Sequence, residues 1–194
     1  MASDRVLNKL VRAFHYVPGY HLLVRRMLSH ASEISLTEAR FLGGLAQQVP
    51  ADRCIVEIGT LFGESTRVLA MFKASGTPLI TVDSFRWNPH GLRRKDHARI
   101  THGLLAEATT SHDVELREMD KAAFYASYQG GPPGLVFLDA NHSYESTKAD
   151  ISWAQSVQAG IICGHDYSAR FPGVTKAVDE CGGAKQVVDT LFVL

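Results

Sequence analysis

The amino-acid sequence predicts an α/β fold, with a Rossmann-like, doubly wound sheet of seven strands that are mostly parallel. Short apolar runs recur after residue 50 at spacings of roughly 20 to 35 residues, which leaves room for one helix between runs. They cover residues 54–58, 78–83, 114–119, 134–139 and 160–166. Two further runs lie close together in KQVVDTLFVL, around Asp189 and Thr190. So short a connection predicts a hairpin, which makes one edge of the sheet antiparallel.

A single domain suits the 194 residues, since one core commonly holds about 100 to 200 residues. Residues 50–194 are the predicted core, and residues 1–49 are a helical segment packed on it. Helical spacing covers residues 4–16 and 20–31. The pattern SLTE, which begins at Ser35, is a capping box and predicts the start of another helix.

The composition excludes several classes of partner. Twenty Lys and Arg balance twenty Asp and Glu, so a nucleic acid or an anionic membrane is not expected as the main partner. No apolar stretch approaches the ~20 residues of a membrane span, and the first residues lack the apolar run of a signal peptide. The cysteines are three in number and lack metal-type spacing, and Cys54 and Cys163 lie in strand-like runs. This usage predicts a reducing, cytoplasmic location.

The first predicted strand runs into a glycine-containing turn. Gly59 and Gly63 bracket this turn, and Glu64, Ser65 and Thr66 begin the next helix. Glycine allows close approach of a ligand to the backbone, and a helix N-terminus offers free N–H groups. The turn is therefore either a ligand-binding loop or only a connection between two elements.

Acidic residues end the next two predicted strands. Asp83 follows the second strand, where a carboxylate can accept both hydroxyls of a ribose; the alternative is a helix cap. Asp120 follows the third strand, where it could receive an adenine amino group or act as an ordinary N-cap.

Three stretches carry a resemblance to a known family. VEIGTLFGEST, with Asp83 one strand later, resembles motif I of class I S-adenosylmethionine-dependent methyltransferases, in the form seen in catechol and caffeoyl-CoA O-methyltransferases. FLDANHSYESTKADI and GIICGHDYSARFPGVTKAVDE resemble the macrocin, mycinamicin and rhamnosyl O-methyltransferase group, a signature shared with cephalosporin hydroxylase-like proteins. The resemblance covers residues 50–194.

The resemblance implies a set of residues that contact the cofactor S-adenosylmethionine. One group would surround its amino-acid end, Asp83 would hold the ribose, Asp120 would lie near adenine, and Asp139 would border the same site. The residues at the amino-acid end are Glu57, Gly59, Thr60, Gly63 and Ser65. An acidic lining suits the cationic sulfonium of this cofactor.

The ends of the fourth and fifth strands carry the candidate chemistry. Asp139, His165 and Asp166 converge there as potential ligands of a divalent cation. In the resembled enzymes acids at these positions hold Mg²⁺, which binds the acceptor hydroxyls. His142, three residues after Asp139, is implied as the general base; the alternative is that it caps the helix near Ser143.

His165 departs from the resembled pattern, which has an acid at that position. Magnesium prefers oxygen ligands, whereas imidazole suits zinc, iron, manganese or nickel. Three explanations stay open. His165 is a ligand of a different metal, a second base or substrate contact, or a brace for Asp166 at a site that binds metal weakly or not at all.

Residues 85–103 contain Phe85, Trp87, several histidines and the basic triplet 93–95. This segment is predicted to be either a lid over the acceptor or a solvated loop that enters a basic helix face. Pro172 is expected in the first turn of a helix.

Taken together, the sequence predicts an O-methyltransferase that acts on a hydroxyl of a small molecule, with metal assistance. A sugar or glycosylated natural product is the first expected acceptor, and a catechol-like diol the second. The alternatives are a hydroxylase on the same scaffold and a non-catalytic cofactor-binding module. The N-terminal segment is expected to cover the acceptor site or to make a homodimer contact.

Overall fold

The computed structural model describes residues 33–87 and 91–194. The helices predicted over residues 4–16 and 20–31 lie outside the described residues. Within the two described ranges, no helix is both long enough and apolar enough to cross a membrane.

The strands form one mixed sheet and lie where the apolar runs predict them. They are β1 (Ile55–Ile58), β2 (Leu79–Asp83), β3 (Val114–Glu118), β4 (Leu135–Leu138), β5 (Ile161–Gly164), β6 (Gln186–Val188) and β7 (Leu191–Val193). Their order across the seven-stranded sheet is β3-β2-β1-β4-β5-β7-β6. All pairings among the first five strands are parallel, and β7 is antiparallel to β5 and β6. The predicted fold class and closing hairpin are confirmed.

Helices connect the strands and cover both faces of the sheet. Those described are α1 (Leu36–Gln47), α2 (Glu64–Phe72), α3 (Arg94–Leu104), α4 (Ala106–Ser111), α5 (Lys121–Ser127), α6 (Tyr144–Ser156) and α7 (Pro172–Glu180). The predicted capping box opens α1, because Ser35 Oγ accepts the Glu38 N–H at 3.1 Å and Glu38 Oε2 accepts the Ser35 N–H at 2.9 Å. Pro172 lies in the first turn of α7, as predicted.

The central strands are buried on both faces, since β1 and β4 are buried at every position. Alternate residues enter different clusters: Ile55 packs with Leu42 of α1, and Val56 packs with Ile151 of α6. Two-sided burial is typical of parallel strands covered by helices. Because β1 to β5 are parallel, their carboxyl ends lie at one rim, which is where ligands bind in such sheets.

An ion pair joins α5 to α6 near this rim. Lys121 Nζ lies 2.5 and 2.6 Å from the two carboxylate oxygens of Asp150, and Tyr125 Oη donates to the same carboxylate at 2.8 Å. Asp150 is buried, while a quarter of the Lys121 side chain is exposed. The pair fixes α6, whose first residues follow the loop that carries His142.

Candidate active site

The turn after β1 packs directly against the end of β4. Gly59 has a φ of +104°, and a Cβ atom added to it would stand 2.0 Å from the carbonyl oxygen of Asp139. The Asp139 N–H donates to the Ile58 carbonyl at 2.8 Å, which joins the two strand ends. Both the backbone conformation and the close contact require glycine here.

The same turn leads into α2 without a side-chain cap. Gly63 is the N-cap with a φ of +78°, and a Cβ atom on it would collide with the Leu105 side chain. Glu64 begins α2 and accepts the Glu33 N–H at 2.6 Å. The described part of the N-terminal region is therefore attached to the start of α2.

Glu57 lies beneath the turn and has no exposed surface. Its carboxylate accepts hydrogen bonds from three hydroxyls, those of Ser65 at 2.6 Å, Thr66 at 2.5 Å and Thr81 at 2.6 Å. Burial raises the pKa of Glu57 to about 7, although these hydrogen bonds oppose the shift. In this conformation Glu57 and Ser65 hold α2 against the sheet rather than face open space.

Thr60 and Asp83 support the turn from the β2 side. Thr60 is buried, and its Oγ1 lies 2.5 Å from Thr81 Oγ1. Asp83 Oδ2 accepts the Thr60 and Leu61 N–H groups at 3.0 and 2.8 Å, and its Oδ1 accepts the Phe85 N–H at 2.7 Å. The described residues 84–87 form no helix, so Asp83 is not a helix cap; its contact with a ribose stays a prediction.

Asp120 is the N-cap of α5, where its side chain accepts the Ala122 N–H at 2.9 Å. Half of the side chain is exposed, and Arg86 lies 4.0 Å away. Asp120 therefore acts as a helix N-cap in the structure, which was the alternative to an adenine contact. The predicted approach to adenine is untested.

The segment after β2 divides into a buried and an exposed part. Phe85 is fully buried and packs edge-on against His97, whose Nε2 lies 3.0 Å from the Leu61 carbonyl oxygen. Trp87 is 61% exposed, and residues 93–95 are exposed as well. The histidine of α3 therefore supports the turn after β1, while the basic triplet faces solvent.

Three of the predicted chemical groups meet at the ends of β4 and β5. His142 Nε2 lies 3.2 Å from Asp166 Oδ2 and 3.5 Å from Asp139 Oδ1. All three side chains are partly exposed, and their ligand-type atoms lie within 4.8 Å of one another, as in a group that could hold a metal ion. Asp166 has a φ of +64°, so its backbone takes an uncommon conformation at the rim.

His142 is not the cap of α6. Ser143 is the N-cap, and its side chain accepts the Ser146 N–H at 3.3 Å. The His142 ring lies edge-on to Phe171, with ring centroids 4.6 Å apart. Its Nε2 is buried and forms no well-aligned hydrogen bond, although two carboxylates are near. The interaction with Asp139 raises the pKa of His142 above its usual value, against the effect of burial.

His165 faces both the carboxylates and the protein interior. Its Nδ1 lies 3.7 Å from Asp139 and from Asp166, and its Nε2 lies 3.2 Å from Glu38 Oε1 and 3.0 Å from Thr190 Oγ1. The closely spaced group that could hold a metal contains His142 rather than His165. His165 therefore lies beside Asp166, as a brace would, and all three explanations for it remain predictions.

Glu38 is the residue of this site that sequence reasoning missed. Burial alone would raise its pKa, but hydrogen bonds from the Ser35 and Thr190 N–H groups and the Thr190 hydroxyl, together with the nearby His165, lower the pKa to about 2. The capping box identified Glu38 as a helix-start residue only. Nothing in its local pattern links it to the end of β5.

A cavity of about 820 Å³ opens beside His165 and Asp166. Side chains of α1 and α2, Glu33 and the loop between β6 and β7 form its walls. They combine apolar residues with carboxylates: Ile34, Leu36, Val68, Met71, Glu33, Glu38, Glu64 and Asp189, with Arg67 as a basic member. The size falls in the range of about 300–1,000 Å³ that small-molecule sites occupy.

The comparisons agree with this architecture. A family model described as a methyltransferase domain matches residues 56–167. A comparison of the sequence with curated proteins gave no match.

Solved structures show the same fold. An O-methyltransferase from Bacillus cereus in complex with SAH is 21% identical, with a TM-score of 0.66 over 100% of this chain and 94% of the other. The O-methyltransferase TomG from Streptomyces achromogenes, involved in tomaymycin synthesis and solved with SAM, is 19% identical (TM-score 0.63; 100% and 96% covered). CalS11, a TDP-rhamnose 3'-O-methyltransferase of calicheamicin biosynthesis, is 16% identical (TM-score 0.61; 100% and 92% covered).

Proposed function

This chain belongs to the methyltransferase domain family, and we propose that it transfers a methyl group from S-adenosylmethionine to a hydroxyl oxygen of a small molecule. One observation carries the proposal. The buried Nε2 of His142 faces Asp139 and Asp166 at 3.5 and 3.2 Å, on the rim where the turn of Gly59 meets β4.

In the proposed reaction His142 acts as the general base. An alcohol is about as weak an acid as water, with a pKa near ~16, so a neighbouring base must take its proton as the new bond forms. The hydroxyl proton passes to the imidazole, the oxygen–methyl bond forms, and the sulfur–methyl bond breaks to leave a neutral thioether. Asp139 and Asp166 stabilise the resulting imidazolium, in line with the raised pKa of His142.

The proposed cofactor-binding site is the turn between β1 and α2. Gly59 and Gly63 keep its backbone free of side chains, and α2 presents its N-terminus there. Asp83 holds two N–H groups of the turn and remains partly exposed, which supports a contact with the ribose. The B. cereus and TomG structures, which were solved with SAH and SAM, support the choice of cofactor.

The residues present also fit a divalent cation. Two carboxylates and an imidazole nitrogen without an aligned hydrogen bond form a plausible donor set. Asp139 and Asp166 would hold the ion, and His142 would lie beside it as the base. When bound, it would supply polarisation of the acceptor oxygen. Since one imidazole nitrogen cannot bind a cation and accept a proton together, His142 serves as the base only when the two carboxylates hold the ion without it.

We place the acceptor in the cavity beside Asp166. A sugar or glycosylated natural product is the first class, and a catechol-like diol the second. Resemblance to the macrocin, mycinamicin and rhamnosyl O-methyltransferase group supports the first, as does the fold shared with CalS11. The hydroxylase alternative receives less support, because iron oxygenases typically use two histidines and one carboxylate, whereas this site pairs one histidine with two carboxylates.

Calorimetric titration of the purified protein with S-adenosylmethionine and S-adenosylhomocysteine tests the cofactor. A screen of sugar and catechol acceptors, followed by release of S-adenosylhomocysteine, tests the reaction. We expect binding of both cofactor forms and turnover with a hydroxylated acceptor. Binding without turnover across the screen would favour a cofactor-binding module, and absence of binding would overturn the proposal. Full activity in a chelator would exclude the role of a divalent cation.

A further inference from the structure

His165 is held between two sets of partners. On one side its Nε2 lies 3.2 Å from Glu38 Oε1 and 3.0 Å from Thr190 Oγ1. On the other side its Nδ1 lies 3.7 Å from Asp139 Oδ2 and 3.7 Å from Asp166 Oδ1. Only 11% of the side chain is exposed, so the ring has little room to turn.

Glu38 is fixed independently of His165. Its Oε2 accepts the Ser35 N–H at 2.9 Å, and its Oε1 accepts the Thr190 N–H at 2.9 Å and the Thr190 hydroxyl at 2.8 Å. Two of these three donors are backbone groups at the start of α1 and in the hairpin loop. The Glu38 carboxylate therefore anchors His165.

The two aspartates divide their oxygens between the two histidines. Asp139 Oδ2 and Asp166 Oδ1 face His165, whereas Asp139 Oδ1 and Asp166 Oδ2 face His142. A change in the His165 ring therefore alters both carboxylates at once. It also alters the surroundings of His142, which does not contact Glu38.

We propose that Glu38 and Thr190 make His165 a positioning residue, which orients the Asp139 and Asp166 carboxylates so that their other oxygens face His142. The catalytic consequence rests on the proposed function, but the positioning itself is a property of the ligand-free protein. A histidine suits this place because its ring N–H can lie between two carboxylates, whereas an acid would add a third like charge. Removing a residue that orients the groups of such a site commonly lowers its activity by about 10- to 100-fold.

The test compares Glu38→Ala with Ser35→Ala. The second variant removes the N-cap hydroxyl of the same helix, which also donates to Asp189 in the hairpin loop, but it keeps the Glu38 and His165 side chains. It therefore controls for damage to α1 and to its contact with the loop. Imidazole nitrogen and proton signals of His142, assigned with His142→Gln, are recorded by nuclear magnetic resonance. We expect Glu38→Ala to shift them, Ser35→Ala to leave them unchanged, and Glu38→Gln to restore most of the wild-type signal.

Once an acceptor has been identified, Glu38→Ala should lower kcat by about 10- to 100-fold while KM for the cofactor stays unchanged. His142 signals that coincide in Glu38→Ala and wild type, or that shift equally in Ser35→Ala, overturn the proposal. The His142 signals can be recorded without cofactor or metal. They therefore test the positioning role of His165 even if the protein shows no methyl transfer. Thr190→Val, which keeps its backbone N–H, provides the same comparison where Glu38→Ala does not fold.

Discussion

The carbonyl oxygen of Asp139 lies 2.0 Å from the point at which a Cβ atom would stand on Gly59. This approach joins the proposed cofactor turn to the proposed catalytic group, since the same aspartate carries the carboxylate beside His142. The backbone of one residue and its side chain thus serve two neighbouring parts of the site.

Gly59→Ala should destabilise the protein strongly. A methyl group would collide with the Asp139 backbone, and the φ of +104° is unfavourable for alanine. We expect the free energy of unfolding to fall by at least about 2 kcal/mol. Gly44→Ala is the matched control, because it lies in α1 with nothing within 4 Å of the added Cβ. Urea titration should show no loss of unfolding free energy for the control. Similar losses in both variants would contradict the conclusion that position 59 requires glycine.

His142→Ala should reduce kcat by about 10²- to 10⁴-fold, the usual contribution of a general base. Affinity for S-adenosylmethionine should remain close to wild type, because the proposed cofactor-binding site is the turn after β1. His102→Ala, an exposed histidine of α3, serves as the control and should keep full activity. Rates of methyl transfer and calorimetric affinities measure both effects. Turnover that survives in His142→Ala would remove the base from the mechanism.

Glu57 should make the protein less stable as the pH rises. Its pKa is raised from 4.5 to about 7 in the folded state, so the unfolded chain releases the proton first. The stability difference between wild type and Glu57→Gln should therefore shift against wild type between about pH 4.5 and pH 7 and then level off. Urea titrations across this range check the sign. A difference that moves in favour of wild type with rising pH would show that the buried carboxyl is ionised.

Lys121→Met should cost ~3 kcal/mol of stability, because it leaves the buried carboxylate of Asp150 without its cation. Lys148→Met provides a comparison on α6, the helix that carries Asp150, because both side chains of the Lys148–Glu180 pair are exposed. Surface pairs contribute at most about 1 kcal/mol. Thermal or urea unfolding of both variants makes the comparison. Equal losses would mean that burial does not distinguish the two pairs.

Strand positions could be predicted from the sequence because each parallel strand is a short apolar run bounded by polar residues. The predicted run 134–139 became β4 over Leu135–Leu138, and its polar end, Asp139, marks the rim. The closing hairpin could be predicted because only two residues separate its strands. Sequence alone could not place residues 85–103, since Phe85 is fully buried whereas Trp87, two positions later, is mostly exposed.

The candidate site was only partly predictable. Asp139, His142 and Asp166 meet because β4 and β5 are neighbouring parallel strands whose carboxyl ends lie at the same rim. Glu57 appeared as a cofactor contact, but its carboxylate is covered by three hydroxyl donors that the local sequence does not reveal. The contact of His165 with Glu38 depends on where α1 lies against the hairpin. No local pattern fixes that distance.

The hydrogen bond between Glu38 and Thr190 joins positions 152 residues apart, with β1 to β6 between them. Closing so long a loop is entropically costly, and contacts of this range generally form after local ones. We infer that the rim is completed late in folding, once the hairpin has docked on β5. Protection of the Thr190 amide from solvent exchange should therefore report the moment at which the chemical groups reach their final arrangement.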